Sequence, residues 1–376
     1  MWRALSAPIL KAITAQAWVL GVALLCISAW IAWAESPPPA APVKPFRLHV
    51  VGGLGGLTQY TQFEAPFWTR DLARMSHGRF SADVVPFDRA GVPGMEMLRL
   101  LQLGVVPFGT VLMSSLSAQY PQYAAADLPG LNPDFAALRT SLRAFRPYLE
   151  QALREERGID VLAVYVYPAQ VLFCKQPLRG LKDLRGRKVR VSSAAQGDFV
   201  AAWGARPVLT PFSGIVKSIT SGQSECAVTG SMSGNTLGLD TYTTHLYPMP
   251  ITWGLAVFGA NHAAWQALPQ DLRTLLQTEL PKLETAVWLS AEQETAQGVA
   301  CDTGSKECTM GRRGAMVLVP VSADDQASRR QVFGSVVLPH WIDRCGTACA
   351  DIWRRTIGPA RDIAAPAVAA ATRPSS

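Results

Sequence analysis

The feature that most constrains this chain is its alternation of short apolar strands with glycine turns and helical stretches. Residues 46–51 (FRLHVV) alternate as a strand, GGLGG follows, and FEAPFWTRDLARMS has the pattern of a helix before the next strand at residues 80–86. Further strands are expected at residues 109–113 and 161–167. Strands that alternate with helices predict an α/β chain whose parallel sheets are covered on both faces.

The rest of the chain continues this pattern. We expect helices at residues 95–103, 135–157, 197–203, 214–220 and 271–300, and strands at residues 189–192, 207–210, 225–229 and 256–259. The second of these helices has the strongest periodicity, because apolar residues recur in it at three- and four-residue spacings: Leu138, Leu142, Phe145, Leu149 and Leu153. This spacing predicts an amphipathic helix with one buried face.

Length and charge limit the class of protein. The chain has 376 residues, which suffices for two domains of roughly 100–200 residues each. Its formal net charge is +7, but the chain has no run of five or six basic residues. A nucleic-acid partner is therefore not expected, whereas an affinity for anions fits a mildly basic exported protein.

The N-terminus has the features of a secretory signal. Arg3 and Lys11 precede an apolar run at residues 15–33, and Ala32-Trp33-Ala34 has the small-x-small pattern of a cleavage site. We therefore expect a signal peptide at residues 1–34. The apolar run is also close to the length that spans a bilayer, so an uncleaved membrane anchor is the alternative. Both interpretations place the bulk of the chain outside the cytoplasm.

Two segments are expected to lack regular structure. Residues 35–45 (ESPPPAAPVKP) form a Pro/Ala-rich linker. Residues 359–376 are rich in alanine, proline and serine and are expected to be a disordered tail.

Six cysteines remain after the signal peptide: Cys174, Cys226, Cys301, Cys308, Cys345 and Cys349. An even number in an oxidising compartment predicts disulfides, although six cysteines allow fifteen connectivities. A Cys301–Cys308 bond would close a short polar loop, and a Cys345–Cys349 bond would close a tight turn if that segment is not helical. A Cys174–Cys226 bond would require two neighbouring strands. No cysteine pair has the two-residue spacing of a zinc or C-x-x-C redox site, so we expect no metal.

Motifs for catalysis and cofactor binding are absent from the sequence. GGLGG, which begins at Gly52, does not have the G-x-G-x-x-G spacing of a dinucleotide turn, and neither a phosphate-loop lysine motif nor G-x-S-x-G occurs. The five histidines lie in no recognisable nucleophile motif: His49, His77, His245, His262 and His340. We therefore expect no cofactor and no enzymatic activity. An exported hydrolase is the alternative, because a catalytic triad can assemble from residues distant in sequence.

The stretch at residues 183–191, DLRGRKVRV, places Arg190 between two valines of an expected strand. Its guanidinium is either a solvated group on an edge strand or is directed at a ligand. The planar fork of N–H donors in a guanidinium matches the two oxygens of a carboxylate. A carboxylate is therefore the ligand group that this residue would suit.

Several sequence segments of the chain resemble those of one known family. They are FWTRDLARMSHGRFSADVVP, LRLLQLGVVPFGTV with AADLPGL, KQPLRGLKDLRGRKVRVSS, WGARPVLTPFSGIVKSITSGQSECAVTG, and NHAAWQALPQDLRTLLQ. Their order and spacing between about residues 46 and 294 resemble the substrate-binding proteins of tripartite ATP-independent periplasmic (TRAP) transporters, in the dicarboxylate-type (DctP-like) branch.

The resemblance implies a two-domain periplasmic binding protein-like α/β fold with a hinge and a ligand cleft. Domain I would comprise residues 46–167 and about 255–295. Domain II would comprise residues 168–254 and about 296–358, with inserted cysteine-containing loops. Such a protein would capture a small organic acid in the periplasm and deliver it to the membrane subunits of a TRAP permease. We expect a monomer. A ligand-binding domain that feeds a sensor is a further alternative.

The resemblance also implies roles for two polar residues. Arg190 matches the family arginine that forms a salt bridge with the ligand carboxylate. Gln170 stands where many members carry a second arginine, and a glutamine can donate a hydrogen bond but brings no charge. The ligand would then be a monocarboxylate or a less acidic molecule than a dicarboxylate.

Five further residues are candidates for the ligand site. Phe212 matches an aromatic residue that often lies against the ligand, with core packing as its alternative. Thr229 matches a position that often carries a polar side chain. Ser114 and Ser115 follow a strand, at the sheet edge where α/β clefts open. Trp253 is either a wall of the cleft or a core residue.

Overall fold

The computed structural model describes residues 46–366. The expected signal peptide (1–34), the linker (35–45) and the last ten residues of the expected tail (367–376) lie outside the described residues. Within residues 46–366, no helix is long and apolar enough to cross a membrane.

The described residues contain eleven strands in two sheets. They are β1 (Phe46–Gly52), β2 (Phe80–Pro86), β3 (Phe108–Leu112), β4 (Ile159–Val166), β5 (Gln170–Cys174), β6 (Lys188–Val191), β7 (Arg206–Leu209), β8 (Cys226–Gly230), β9 (His245–Thr252), β10 (Leu255–Asn261) and β11 (Val317–Leu318). The first sheet has the order β2-β1-β3-β10-β4, and the second has the order β11-β9-β5-β8-β6-β7.

The helices cover these sheets. They are α1 (Leu72–Met75), α2 (Met97–Gln102), α3 (Met113–Leu116), α4 (Phe135–Arg157), α5 (Ala194–Ala201), α6 (Ile215–Thr220), α7 (Ser231–Thr236), α8 (His262–Gln266), α9 (Gln270–Asp302), α10 (Ala323–Val332), α11 (Leu338–Cys345), α12 (Thr347–Arg355) and α13 (Ile357–Arg361). The π-helical segments Gln59–Glu64, Phe67–Asp71 and Phe333–Val337 and five short 3₁₀ segments complete the described helical elements. The prediction of a helix at residues 135–157 is confirmed as α4.

Both sheets are mixed, which corrects the expectation of parallel sheets. Strand β1 is parallel to β2 and β3, but β10 is antiparallel to β3 and β4. In the second sheet, β6 is parallel to β7 and β8, whereas β5 is antiparallel to β8 and β9. Parallel neighbours need a crossover of a dozen or more residues. The alternation argument missed β5 and β9, and these two strands are joined to β4 and β10 without such crossovers.

The two sheets are joined by short connections. Residues 167–169 lead from β4 in the first sheet to β5 in the second, and Trp253 and Gly254 lead back from β9 to β10. The long helix α9 contacts both sides, because it packs against β4 and α7. The Trp288 Nε1–H donates to the Val164 carbonyl at 2.7 Å. On the other side, the Ser231 hydroxyl donates to the Thr295 carbonyl at 3.0 Å.

Close helix packing at this junction depends on Gly298. A Cβ atom at that position would lie 2.2 Å from the backbone nitrogen of Met232. Helix α9 therefore reaches α7 only because residue 298 has no side chain. The buried apolar side chains of the two sheets form one continuous cluster. The domain boundaries expected from the sequence remain a prediction.

Residues 303–316 form a loop that the Cys301–Cys308 bond closes, and residues 323–361 are largely helical. Helices α11–α13 pack on α4, on α5 and on the 3₁₀ segment Pro121–Asp127, and α10 packs on the π-helical segment Phe333–Val337. The Trp341 Nε1–H donates to the Pro121 carbonyl at 2.8 Å, and Arg344 pairs with Asp198 of α5. Residues Pro359–Arg361 belong to α13, so the expected tail does not begin at residue 359.

Residues 46–366 contain three disulfides. Cys174 and Cys226 are directly opposite each other on β5 and β8, with Cα atoms 4.1 Å apart. Cys301 and Cys308 form the second bond and Cys345 and Cys349 the third. The last pair lies where α11 ends and α12 begins, because the chain leaves the helical conformation at Gly346.

Candidate ligand-binding site

A cavity of about 280 Å³ lies between the two sheets. The first sheet and its loops contribute Leu54, Leu57, Phe87, Val92, Leu112, Ser114, Ser115 and Leu255, among others. The second sheet and its loops contribute Gln170, Arg190, Ser192, Phe212, Thr229 and Ser233. Half of these fourteen side chains are apolar, and the others are five hydroxyl groups, one amide and the guanidinium of Arg190. Such a mixture of apolar and hydrogen-bonding groups is found in small-molecule sites.

Arg190 lies on β6, an interior strand of the second sheet between β7 and β8. Only 2% of its surface is exposed, so the solvated edge-strand alternative is wrong. Its guanidinium is held by backbone carbonyls. Nε–H and Nη2–H donate to the Thr210 carbonyl at 2.9 and 2.6 Å, and Nη1–H donates to the Val228 carbonyl at 2.7 Å.

The positive charge of Arg190 has no carboxylate partner among residues 46–366. Burial therefore lowers the pKa of Arg190 to about 9. A guanidinium has five N–H donors, and three are used by the protein. One donor on Nη1 and one on Nη2 remain, and this pair matches the two oxygens of a carboxylate.

Gln170 is the first residue of β5 and also lines the cavity. Its Oε1 accepts hydrogen bonds from Gln196 Nε2 at 2.5 Å and from the Thr252 hydroxyl at 3.1 Å. Gly254 adjoins the other end of the amide, since a Cβ at residue 254 would lie 2.7 Å from Gln170 Nε2. Gly254 also has a φ of +76°, so a side chain at this position would be strained as well as crowded.

Gln196 is a site residue that the sequence argument missed. It lies in the first turn of α5, three residues after Ser193, whose hydroxyl accepts from the Gln196 backbone N–H at 3.1 Å. The Gln196 Oε1 accepts from the Ser192 backbone N–H at 2.9 Å. A Ser-x-x-Gln pattern after a strand is the sequence signal of such a helix start and could have pointed to this residue.

Four of the other expected residues line the cavity: Ser114, Ser115, Phe212 and Thr229. Thr229 is buried on β8, and the described residues offer its hydroxyl no hydrogen-bond partner. Phe212 lies in the short 3₁₀ turn after β7. The structure thus brings residues of both sheets to one cavity.

Trp253 is the exception, because it is absent from the cavity wall. Its ring packs edge-on against Phe135 with centroids 4.7 Å apart, and its Nε1–H donates to the Asn132 carbonyl at 3.1 Å. The structure therefore supports the core-residue alternative. The backbone of Trp253 forms part of the connection that leads from β9 in the second sheet to β10 in the first.

Asp127 holds that connection in place. Its carboxylate accepts from the backbone N–H groups of Trp253 at 2.9 Å and of Gly254 at 2.7 Å. Burial raises the pKa of Asp127 to about 7, and these hydrogen bonds act in the opposite direction. The sequence argument used Asp127 only as part of the DLP phrase, because nothing local showed which backbone it would meet.

A second buried carboxyl lies beneath the cavity wall. Glu64 is fully buried, with its Oε2 accepting from the Gly53 backbone N–H at 2.5 Å and its Oε1 from the Thr110 hydroxyl at 3.1 Å. Burial raises the pKa of Glu64 to about 7. Its neighbour Tyr167 lines the cavity, so Glu64 supports the wall rather than facing the ligand space.

The sequence matches a family model over residues 57–332. The family is described as bacterial extracellular solute-binding protein, family 7 (DctP). The chain is also similar to a Comamonas testosteroni protein described as the outer membrane transporter protein TsaT. The two are 27% identical over 264 residues, which cover 68% of this chain and 75% of that protein.

Solved structures share the fold. One is DctP7 of Bordetella pertussis, an extracytoplasmic solute receptor that binds pyroglutamic acid. Its TM-score to this chain is 0.71 at 21% sequence identity, and the match covers 82% of this chain and 98% of that chain. Another is a TRAP periplasmic solute-binding protein of Desulfovibrio salexigens with bound orotic acid. Its TM-score to this chain is 0.73 at 16% sequence identity, and the match covers 84% of this chain and 99% of that chain. The expected two-domain periplasmic binding protein-like fold is therefore confirmed.

Proposed function

Because this chain belongs to the DctP family of bacterial extracellular solute-binding proteins, we propose that it is the solute receptor of a TRAP-type transporter and that it captures a small organic acid. The carboxylate of the ligand binds Arg190, and the rest of the ligand occupies the cavity between the sheets.

The observation that carries this proposal is the state of Arg190. Its charge is buried at a cavity wall, is held by three hydrogen bonds to carbonyls, and has no anionic partner in residues 46–366. A desolvated charge without a partner is costly. An incoming carboxylate removes this cost and uses the two N–H donors that remain.

The charges of the cavity favour a monocarboxylate. The lining contains one cation, Arg190, and one anion, the exposed Asp88, whose Oδ1 accepts from the Gly55 backbone N–H at 2.8 Å. Gln170 offers a neutral group where a second cation would serve a second carboxylate. A dicarboxylate would therefore place one charge in a largely apolar space without a counter-charge.

Ligand capture involves closure about the connections at residues 167–169 and 253–254. Both connections are short and lie beside the cavity, and Asp127 fixes one of them. A ligand that contacts both sheets stabilises the closed form by the difference between its affinities for the two forms. The closed, loaded receptor then delivers the acid to the membrane subunits of the permease, and it acts as a monomer.

The same proposal includes the location of the protein and the absence of catalysis. The family is extracellular, and the pattern at residues 1–34 supports export to the periplasm by a cleaved signal peptide. All five histidines belong to the described residues, and none of them lines the cavity. The site therefore offers no histidine base for the hydrolase alternative.

The direct test is a binding screen by thermal shift followed by calorimetry. The panel contains pyroglutamate, malate, malonate, orotate and galacturonate, each next to an uncharged amide or ester of the same skeleton. We expect at least one acid to bind with one site per chain and its uncharged analogue to bind far more weakly. Tight binding of the neutral analogues alone would contradict the proposal. Conversion of an ester or amide to product would favour the hydrolase.

A further inference from the structure

The hydrogen bonds behind the cavity determine what the second half of the ligand can be. We propose that Gln196 is a positioning residue that fixes the Gln170 side chain as a hydrogen-bond donor, so that the site selects monocarboxylates with an apolar body and a neutral hydrogen-bond acceptor. This inference rests on the proposed function and specifies the ligand class of the same site.

The backbone of Ser192 provides a hydrogen-bond donor whose identity is certain. The backbone N–H of Ser192 can only donate, and it lies 2.9 Å from the Gln196 side chain. The atom that faces it must therefore be the amide oxygen, Oε1. The Gln196 amide is thus fixed, and its Nε2 group faces Gln170 and Thr252.

The orientation of the Gln196 amide determines that of the Gln170 amide. Gln196 Nε2 lies 2.5 Å from the Gln170 side chain and 2.8 Å from the Thr252 hydroxyl, so its two hydrogens serve these two neighbours. The atom of Gln170 that receives the first bond must be its oxygen. The Thr252 hydroxyl also donates to this oxygen at 3.1 Å, which strengthens the same orientation.

The Nε2 group of Gln170 is consequently turned away from this network. It has no acceptor among the described residues, and it adjoins Gly254, which also lines the cavity. The absence of a side chain at residue 254 leaves space beside the two N–H donors. The site therefore presents a neutral donor, and a ligand group that only donates would leave this amide unmatched.

Apart from Arg190, Gln170 and Asp88, the wall consists of apolar side chains, hydroxyl groups and glycines. Leu54, Leu57, Phe87, Val92, Leu112 and Phe212 come from both sides of the cavity. They suit a compact apolar or aromatic body between the carboxylate and the acceptor. The cavity of about 280 Å³ is at the small end of the roughly 300–1,000 Å³ common for ligand pockets, so the ligand is small.

The test uses benzoate and the three pyridine monocarboxylates, picolinate, nicotinate and isonicotinate. These acids have nearly the same shape and differ in whether, and where, the ring carries an acceptor nitrogen. Affinities are measured by calorimetry for the wild type, Gln196→Glu and Gln196→Met. In the wild type, at least one pyridine acid should bind about two- to tenfold more tightly than benzoate, the ratio expected for one neutral hydrogen bond.

The variants should reduce this preference. A glutamate at residue 196 accepts with both oxygens, so Gln170 must turn its Nε2 towards it and present an oxygen to the cavity. The ratio should then fall to one or below in Gln196→Glu and fall towards one in Gln196→Met, where the Thr252 hydroxyl is the remaining donor to the Gln170 oxygen. Gln223→Glu adds the same charge at an exposed residue outside the cavity, and it should keep the wild-type ratio.

A second readout needs no ligand. The side-chain amide resonances of Gln170, identified by their loss in Gln170→Glu, should shift in Gln196→Glu and stay in place in Gln223→Glu. An unchanged resonance would overturn the positioning role.

The outcomes of the binding series separate the two proposals. If the wild type binds all four acids equally, the inference is refuted while the carboxylate receptor stands. If it binds other organic acids but none of these four, the inferred ligand class is wrong. If it binds no carboxylate in either series, the proposed function itself fails.

Discussion

Replacing Arg190 by alanine removes the group on which carboxylate binding depends. The guanidinium is 2% exposed, and the described residues give it no competing anion. Truncating one partner of a buried, charge-assisted pair costs about 2–5 kcal/mol. At about 1.4 kcal/mol per tenfold change in affinity, Arg190→Ala should weaken the best-binding acid by about 30- to 4,000-fold.

The assay is calorimetric titration with the acid that gives the largest thermal shift in the organic-acid screen. Arg187→Ala is the matched control. Arg187 lies three residues earlier and also donates to backbone carbonyls, those of Gln176 and Pro177, but it does not line the cavity. The control should bind the acid like the wild type.

Folding must be separated from binding in this experiment. Alanine leaves the carbonyls of Thr210 and Val228 without their donor, which can lower stability. Arg190→Lys keeps the charge but loses the planar fork, so its affinity should lie between those of the wild type and Arg190→Ala. If the alanine variant is folded by circular dichroism and its affinity changes by less than threefold, the assignment of Arg190 is refuted.

Three other perturbations test separate parts of the structure. Gln170→Arg supplies a second cation and should shift preference towards dicarboxylates such as malate; an unchanged ranking of mono- and dicarboxylates would place residue 170 outside the site. Replacing Cys174 and Cys226 by alanine opens a bond with a sequence separation of 52 and should lower the free energy of unfolding by about 4 kcal/mol. The same change at Cys345 and Cys349, with a separation of 4, should cost only about 2 kcal/mol, and equal losses in urea denaturation would contradict this. Glu64 has its pKa raised from 4.5 to about 7, so the folded state favours its protonated form, and the wild type should lose about 2–3 kcal/mol of stability through this group as the pH rises from 5 to 8. Glu64→Gln should remove that part of the pH dependence, and parallel stability curves for the two proteins would show that the carboxyl does not titrate there.

Local sequence patterns were sufficient to predict those helices and strands whose signal lies in residues close to one another in the chain. The helix at Phe135–Arg157 was predicted with its observed bounds, because its apolar residues recur at helical spacing. The strand containing Arg190 was also expected, since valines flank the arginine. These features depend on residues close in sequence, and no tertiary contact overrides them.

Strand direction could not be read in the same way. The sequence suggested parallel sheets, yet β5, β9 and β10 have antiparallel neighbours. The cause is the pair of short connections that carry the chain from one sheet to the other. In the assembled fold β10 pairs with β3 and β4, and β5 pairs with β8 and β9. Local patterns do not specify these partners.

The same distinction between local sequence pattern and tertiary contact applies to the residues of the site. Arg190, Gln170, Phe212, Thr229, Ser114 and Ser115 were named from sequence and line one cavity, whereas Trp253 packs in the core and Gln196 was missed. Residue type and family pattern indicate which side chains suit a carboxylate. They do not show whether a tryptophan packs in the core or which side chain an amide contacts.

The sequence by itself indicated the α/β class, six cysteines outside the expected signal peptide and an arginine suited to an acid. Tertiary structure alone decided that this arginine is buried without a counter-charge among residues 46–366 and that a chain of hydrogen bonds orients the Gln170 amide. The reason is physical: burial and hydrogen-bond direction arise from groups that are distant in sequence, such as Ser192 and Thr252, and these groups meet only when both sheets have formed.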